Sequence, residues 1–215
     1  MELRFETYHH WLWIPMLVLF IFLAFVFSKY SDQVKRCFLA LFSNKEFTDL
    51  MRDESQVSKK SSLALNIFSL FSYSFFIFLL ILKFPAWPFT DLELYFIINA
   101  IVFLGFVFKF LFISSLGFLF KAKKNSDLYI RNSLLSNKVF GIILFPLALI
   151  VAYSLNMGSV FFNGTLILWG FITIFKWYQV VKLGLSLSEL PRMYPFLYVC
   201  TLEILPTLIL LKIFL

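Results

Sequence analysis

Glu203 lies in the run PFLYVCTLEILPTLILLK, Pro195 to Lys212, which is otherwise apolar enough to cross a bilayer. An ionised side chain at that depth costs about 3 kcal/mol on insertion scales, so a chain that keeps one supplies a partner for it or puts the charge to use. Two cations, Lys109 and Lys176, sit inside other apolar runs. If the run carrying Lys176 leaves the membrane near Gly184 and the last run enters at Pro195, both charges lie eight residues in, about 12 Å at a helical rise of about 1.5 Å per residue. Lys109, eleven residues from Phe120 at the end of its own run, lies slightly deeper. Equal depth on antiparallel neighbours predicts a contact between Lys176 and Glu203, with Lys109 close to it.

Three chemistries fit such a cluster. It could be a salt bridge that fixes helix packing, with about 3–5 kcal/mol lost when one partner is removed. The surplus positive charge could instead recruit a carboxylate or a lipid phosphate from a partner. The third is an ion or proton pathway in which Glu203 titrates. Both lysines also have stems long enough to carry the ammonium group several Å towards the headgroups. Around the cluster, Asn99 shares a helical face with Phe106 and Lys109, Cys200 lies one turn before Glu203, and Pro146 and Pro206 each remove a backbone donor and predict a kink.

Catalytic constellations are otherwise absent from the sequence. His9 and His10 are adjacent and near the N-terminus, where an interfacial role is expected. There is no HExxH, GxSxG, P-loop or GxGxxG motif, and Glu203 is the one acid deep in an apolar run. Cys37 and Cys200 form neither a disulfide framework nor a metal-ligand spacing, and read as small apolar side chains. No enzymatic activity, cofactor or metal is expected, and the sequence does not identify a small-molecule ligand.

The elements that must position these residues are membrane helices. Hydrophobic residues make up 61% of 215 positions and charged ones 14%, and mean hydropathy is +0.88, values that exclude a soluble domain of this size. Spans are expected at about 11–28, 63–82, 92–120, 139–155, 165–184 and 195–214, in a single domain covering residues 1–215. A signal peptide is the weaker reading of the first, because the leader carries Glu2 and Glu6 against Arg4 and no small-residue cleavage site follows. Asn66, Ser69 and Tyr73 form one polar stripe that should face other helices. The net charge of +7 reflects topology and anionic lipid rather than nucleic acid.

Between the first two spans, Val34, Cys37, Phe38, Leu41 and Phe42 recur at helical spacing, with Lys35 and Arg36 beside them. This pattern predicts an amphipathic helix over about 32–42 on the cytoplasmic membrane surface. A second short helix should follow Asn44, with Phe47, Leu50 and Met51 on one face. The segment KAKKNSDLYIRNSLLSNK, ending at Lys138, reads as a basic cytoplasmic loop in which Ser126 or Asp127 could cap a short surface helix. Placing both termini outside the cytoplasm puts thirteen loop Lys and Arg residues inside against Arg4, Lys83 and Lys212 outside, whereas the opposite orientation inverts that bias.

The segments DQVKRCFLALFSNKEF, IRNSLLSNKVFGIILFPLALIVAY and above all YVCTLEILP together resemble an uncharacterised family of small integral membrane proteins of Bacteroidota, a domain of unknown function. The similarity runs from about Asp32 to Lys212. Lys109, Asn132, Asn137, Lys138, Gly141, Pro146, Tyr198, Cys200, Glu203 and Pro206 occupy its matching positions. The resemblance implies no activity. The lineage it suggests points to an accessory role in envelope machinery such as type IX secretion or gliding.

The sequence therefore predicts an all-α, polytopic bundle of about six transmembrane helices with a cytoplasmic amphipathic helix. It is expected in the bacterial inner membrane with both termini periplasmic, in contact with lipid and other membrane subunits. The functional expectation is a non-catalytic subunit or assembly partner of a cell-envelope complex. The alternative is a small transporter or ion-conducting protein using Glu203 and the buried lysines.

Overall fold

A computed structural model describes residues 9–43, 46–47, 49–50, 59–82, 90–119, 123–154 and 159–186. It contains five helices: α1 (His9–Phe42), α2 (Lys59–Leu82), α3 (Asp91–Leu119), α4 (Lys123–Ser154) and α5 (Ser159–Ser186). Each contains a stretch long and apolar enough to cross a membrane: Leu12–Phe42, Ser61–Leu82, Asp91–Leu119, Asp127–Ala152 and Asn163–Lys182. Among the described residues the chain is all-helical, and these five stretches mark it as a membrane protein. The expected sixth span, and with it Glu203, Cys200, Tyr198 and Pro206, lies outside the described residues.

α4 is the axis of the bundle, packing against each of the other four helices, and its broadest contact is with α2. These two helices carry most of the buried side chains, including Phe68, Phe75, Phe76, Phe78 and Leu79 of α2 and Leu144, Phe145, Ala148 and Val151 of α4. The rings interlock across helices: Phe68 meets Phe145 edge-on at 5.9 Å and Phe22 of α1 at 6.0 Å. Phe78 meets Tyr95 of α3 at 5.4 Å. Such aromatic pairs add about 0.5–1.5 kcal/mol each beyond simple burial. In α1, α3 and α5 the proportions reverse, and Phe20, Leu104, Phe108, Ile167 and Phe171 are each more than half exposed. A bilayer solvates these faces as well as a protein core would.

The start of α3 follows from its first four residues. The Thr90 backbone N–H donates to Glu93 Oε2 at 3.1 Å, while the Thr90 carbonyl accepts from Leu94 at 2.9 Å. Thr-x-x-Glu at this position satisfies a donor that the helix itself leaves open.

α1 takes the place of the two elements expected there, a first span and the helix that follows it. It is two helical segments joined across a kink at Tyr30, whose φ of −131° and ψ of 28° are non-helical. Before the bend, Leu12, Leu19 and Val26 are buried at intervals of seven, a single file of contact. The next step of seven would be Gln33, but the buried residue is Val34, followed by Cys37 and Ala40. The bend at Tyr30 thus advances the inward face by one residue. Segment 32–42 is helical as expected and forms the lower half of α1, set off from the upper half by the kink at Tyr30. Part of its apolar side is covered by protein, because Cys37 and Ala40 pack with Phe47 of the following turn and with Leu135 and Val139 of α4, while Phe42 is exposed.

The difference lies in α4, which begins at Lys123 and extends far ahead of the expected 139–155 span. The basic loop read through Lys138 is helix from Lys123 onward. Its charges interrupt the apolar run without interrupting the helix, because Asn132, Ser133, Ser136, Asn137 and Lys138 are covered by neighbouring helices. Pro146 lies within α4, exposed, and the helix continues past it to Ser154.

Candidate functional site

The polar residues of α4 are the centre of the bundle's most unusual chemistry. Lys138 is only 3% exposed. Its ammonium group donates to Ser62 Oγ of α2 at 2.7 Å. Burying a charged donor is costly unless strong hydrogen bonds replace the water it loses, and this short bond is one of them. Lys138 is also the residue most completely misplaced by reading its segment as a loop.

Its neighbour in sequence serves a different helix. Consecutive helical residues point about 100° apart, so Asn137 faces α5 while Lys138 faces α2. Asn137 Oδ1 accepts from Lys176 Nζ at 2.8 Å. Two ammonium groups thus reach the N-terminal half of α4 from adjacent sides, one from its own backbone and one from α5.

The approach of α2 to α4 is set one turn further along. An added Cβ on Gly141 would lie 2.5 Å from both Cα and Cβ of Ser69, so only a residue without a side chain fits. Ser72 Oγ donates to the Gly141 carbonyl at 2.8 Å. Small residues permit the contact and a hydroxyl bridges it, the usual device by which membrane helices pack closely. Of the polar stripe expected on α2, Ser69 is buried at this contact, while Asn66 and Tyr73 are half-buried.

On α5, Gln179 Nε2 donates to the Leu41 carbonyl at 2.6 Å, which ties α5 to the end of α1. Phe175, one turn earlier, contacts Phe42 of α1 at 5.6 Å and Phe140 of α4 at 6.5 Å. Within the amphipathic segment, Val34 is buried, Phe38 and Leu41 are half-buried, and Lys35, Arg36 and Phe42 are exposed. Phe42 therefore combines an open face with a ring contact to α5.

The expected charge cluster falls only partly among the described residues. Lys176 is half-buried and bonded to Asn137. Lys109 is half-buried on the inner side of α3, in line with buried Ile98 and Ile113 and half-buried Phe106. Glu203 lies outside the described residues, so its contact with either lysine stands as an expectation. Asn99 Nδ2 donates to the Tyr95 carbonyl at 2.8 Å. Among the described residues no group of His, Cys, Asp and Glu is placed to hold a metal ion.

Asn132, Asn137, Lys138 and Gly141, which the resemblance picked out without a role, all lie in this seam of α4. The family described as domain of unknown function, DUF4271, matches residues 12–214. The chain belongs to this family. No curated protein and no solved structure matches it. For DUF4271 the match covers every helix described above except the first turn of α1, so the seam around Lys138 lies within the family's domain. Sequence reading alone gave no role to Ser62, Ser136 or Gln179. Ser136 could have been found from the i, i+4 recurrence of Asn132 and Ser136, a buried-face signal hidden by the lysines around it.

Proposed function

We propose that this DUF4271 protein is a non-catalytic, multi-pass subunit or assembly partner of a cell-envelope complex, seated in the bacterial inner membrane with both termini periplasmic. The observation that carries the reading is a contrast among its glycines. Gly141 brings α2 and α4 into contact, as described above. Gly105 of α3 and Gly164 and Gly170 of α5 lie on the outer helices, where an added Cβ would meet nothing within 4 Å among the described residues. A helical glycine costs about 1 kcal/mol relative to alanine, and among the described residues these three return nothing by close packing. A helix of a partner subunit would use them, because close backbone approach, not apolarity, favours helix over lipid. Exposed Ile101, Leu104 and Phe108 flank Gly105 on the same face of α3.

The test is recovery of the tagged protein at native expression in a mild detergent. A partner of fixed stoichiometry should co-purify, and Gly105→Leu together with Gly170→Leu should release it while leaving the chain folded. A monodisperse protein that is alone and conducts solute or protons across liposomes would replace this reading with that of a small transporter.

A further inference from the structure

The α1/α4/α5 junction holds three buried polar atoms with no hydrogen-bond partner among the described residues: Asn132 Nδ2, Ser136 Oγ and Gln179 Oε1. Helical register places them on the facing sides of α4 and α5. α4 and α5 are antiparallel, with Phe140 against Phe175 and Asn137 bonded to Lys176. One turn back from Phe140 is Ser136 and one turn on from Phe175 is Gln179, so these two face each other across the helix pair. Asn132 follows one further turn along the same face of α4.

The side chains cannot easily turn away. Asn132 is 8% exposed and Ser136 1%. Gln179 is anchored through its other amide atom to the Leu41 carbonyl, and that bond requires the amide nitrogen there, which leaves Oε1 directed elsewhere. A buried polar atom left without a partner is costly, and buried water, making about three hydrogen bonds, is the usual remedy.

We infer that the junction is a binding site for an internal water molecule that joins α4 to α5 beneath the end of α1. The water accepts from Asn132 Nδ2, donates to Gln179 Oε1, and exchanges its remaining hydrogen bond with the Ser136 hydroxyl. The complement of one amide donor, one amide acceptor and one hydroxyl suits a small neutral molecule that both donates and accepts. The site does not depend on the partner proposed above.

An experimental map of the full chain at a resolution that shows ordered water tests this directly. The expected result is a peak within hydrogen-bonding distance of all three atoms. Thermal unfolding of Ser136→Ala in detergent gives a second, independent readout. If water is bound, losing the hydroxyl removes a ligand of that water and the Tm falls. If the junction is dry, the substitution removes an unsatisfied hydroxyl and the Tm rises. A map with the three side chains in place and no peak between them, or a raised Tm for Ser136→Ala, overturns the inference.

Discussion

Lys138 Nζ and Ser62 Oγ, 76 residues apart in sequence, meet at 2.7 Å across the seam between α2 and α4. An ammonium group 3% exposed is thereby made part of the packing of the two central helices. Lys138→Met keeps the stem but removes the charged donor to the half-buried Ser62 hydroxyl, a hydrogen bond worth about 1–3 kcal/mol. Thermal unfolding in detergent should show a lowered Tm, with membrane insertion unchanged. In the Ser62→Ala background the same substitution should cost less. Equal losses in both backgrounds would show that the bond contributes nothing.

The two kinds of glycine give opposite expectations. Gly141→Ala places a methyl group against the backbone of α2, and overpacking of this kind costs about 1–3 kcal/mol. Gly105→Ala meets open space and gains helix propensity, so the isolated protein should be unchanged or more stable by up to about 1 kcal/mol. Measuring both Tm values in one detergent checks the pair, and a stabilised Gly141→Ala would contradict the contact with Ser69.

Burial separates the phenylalanines as sharply. Phe68 is fully enclosed between Phe22 and Phe145, so Phe68→Ala should cost about 3–5 kcal/mol. Phe108 is 63% exposed, and Phe108→Ala should leave chemical or thermal unfolding of the protein nearly unchanged. Loss of a co-purifying partner in Phe108→Ala, with stability intact, would mark α3 as the docking face.

Glu203→Gln bears on the charge cluster expected from the depth of the lysines. If Glu203 is the counter-charge of Lys176, the substitution should lower stability by about 3 kcal/mol or more, or reduce complex yield, while insertion proceeds. Lys176→Gln should then produce a comparable loss, and the double substitution less than the sum of the two. Wild-type Tm together with wild-type complex yield would remove Glu203 from the architecture.

The long apolar helices were legible in the sequence because an uncharged hydrophobic run of about 20 residues matches the thickness of a bilayer and little else. Helical spacing likewise put Lys109 with Asn99 and Phe106 on one side of α3, since periodicity decides that without knowledge of neighbours. Legibility ended where a helix changes solvent along its length. The first half of α4 carries lysine, asparagine and serine, which a hydropathy window reads as loop; only the arrival of α2 and α5 shows that those residues are covered. For the lower half of α1 the helix was legible but its surroundings were not. An apolar stripe of Val34, Cys37 and Leu41 declares that it needs cover, but not whether lipid or protein provides it.

The one-residue slip at Tyr30 has a mechanical consequence. A straight helix would carry any error of phase from end to end, so that turning Leu19 off its seat by about 100° would turn Cys37 off as well. With the break between them, the membrane half and the lower half of α1 are each keyed to α4 and its neighbours on their own. An extra residue inserted just before Tyr30 can be absorbed at the joint, whereas the same insertion between Val34 and Cys37 unseats everything that follows.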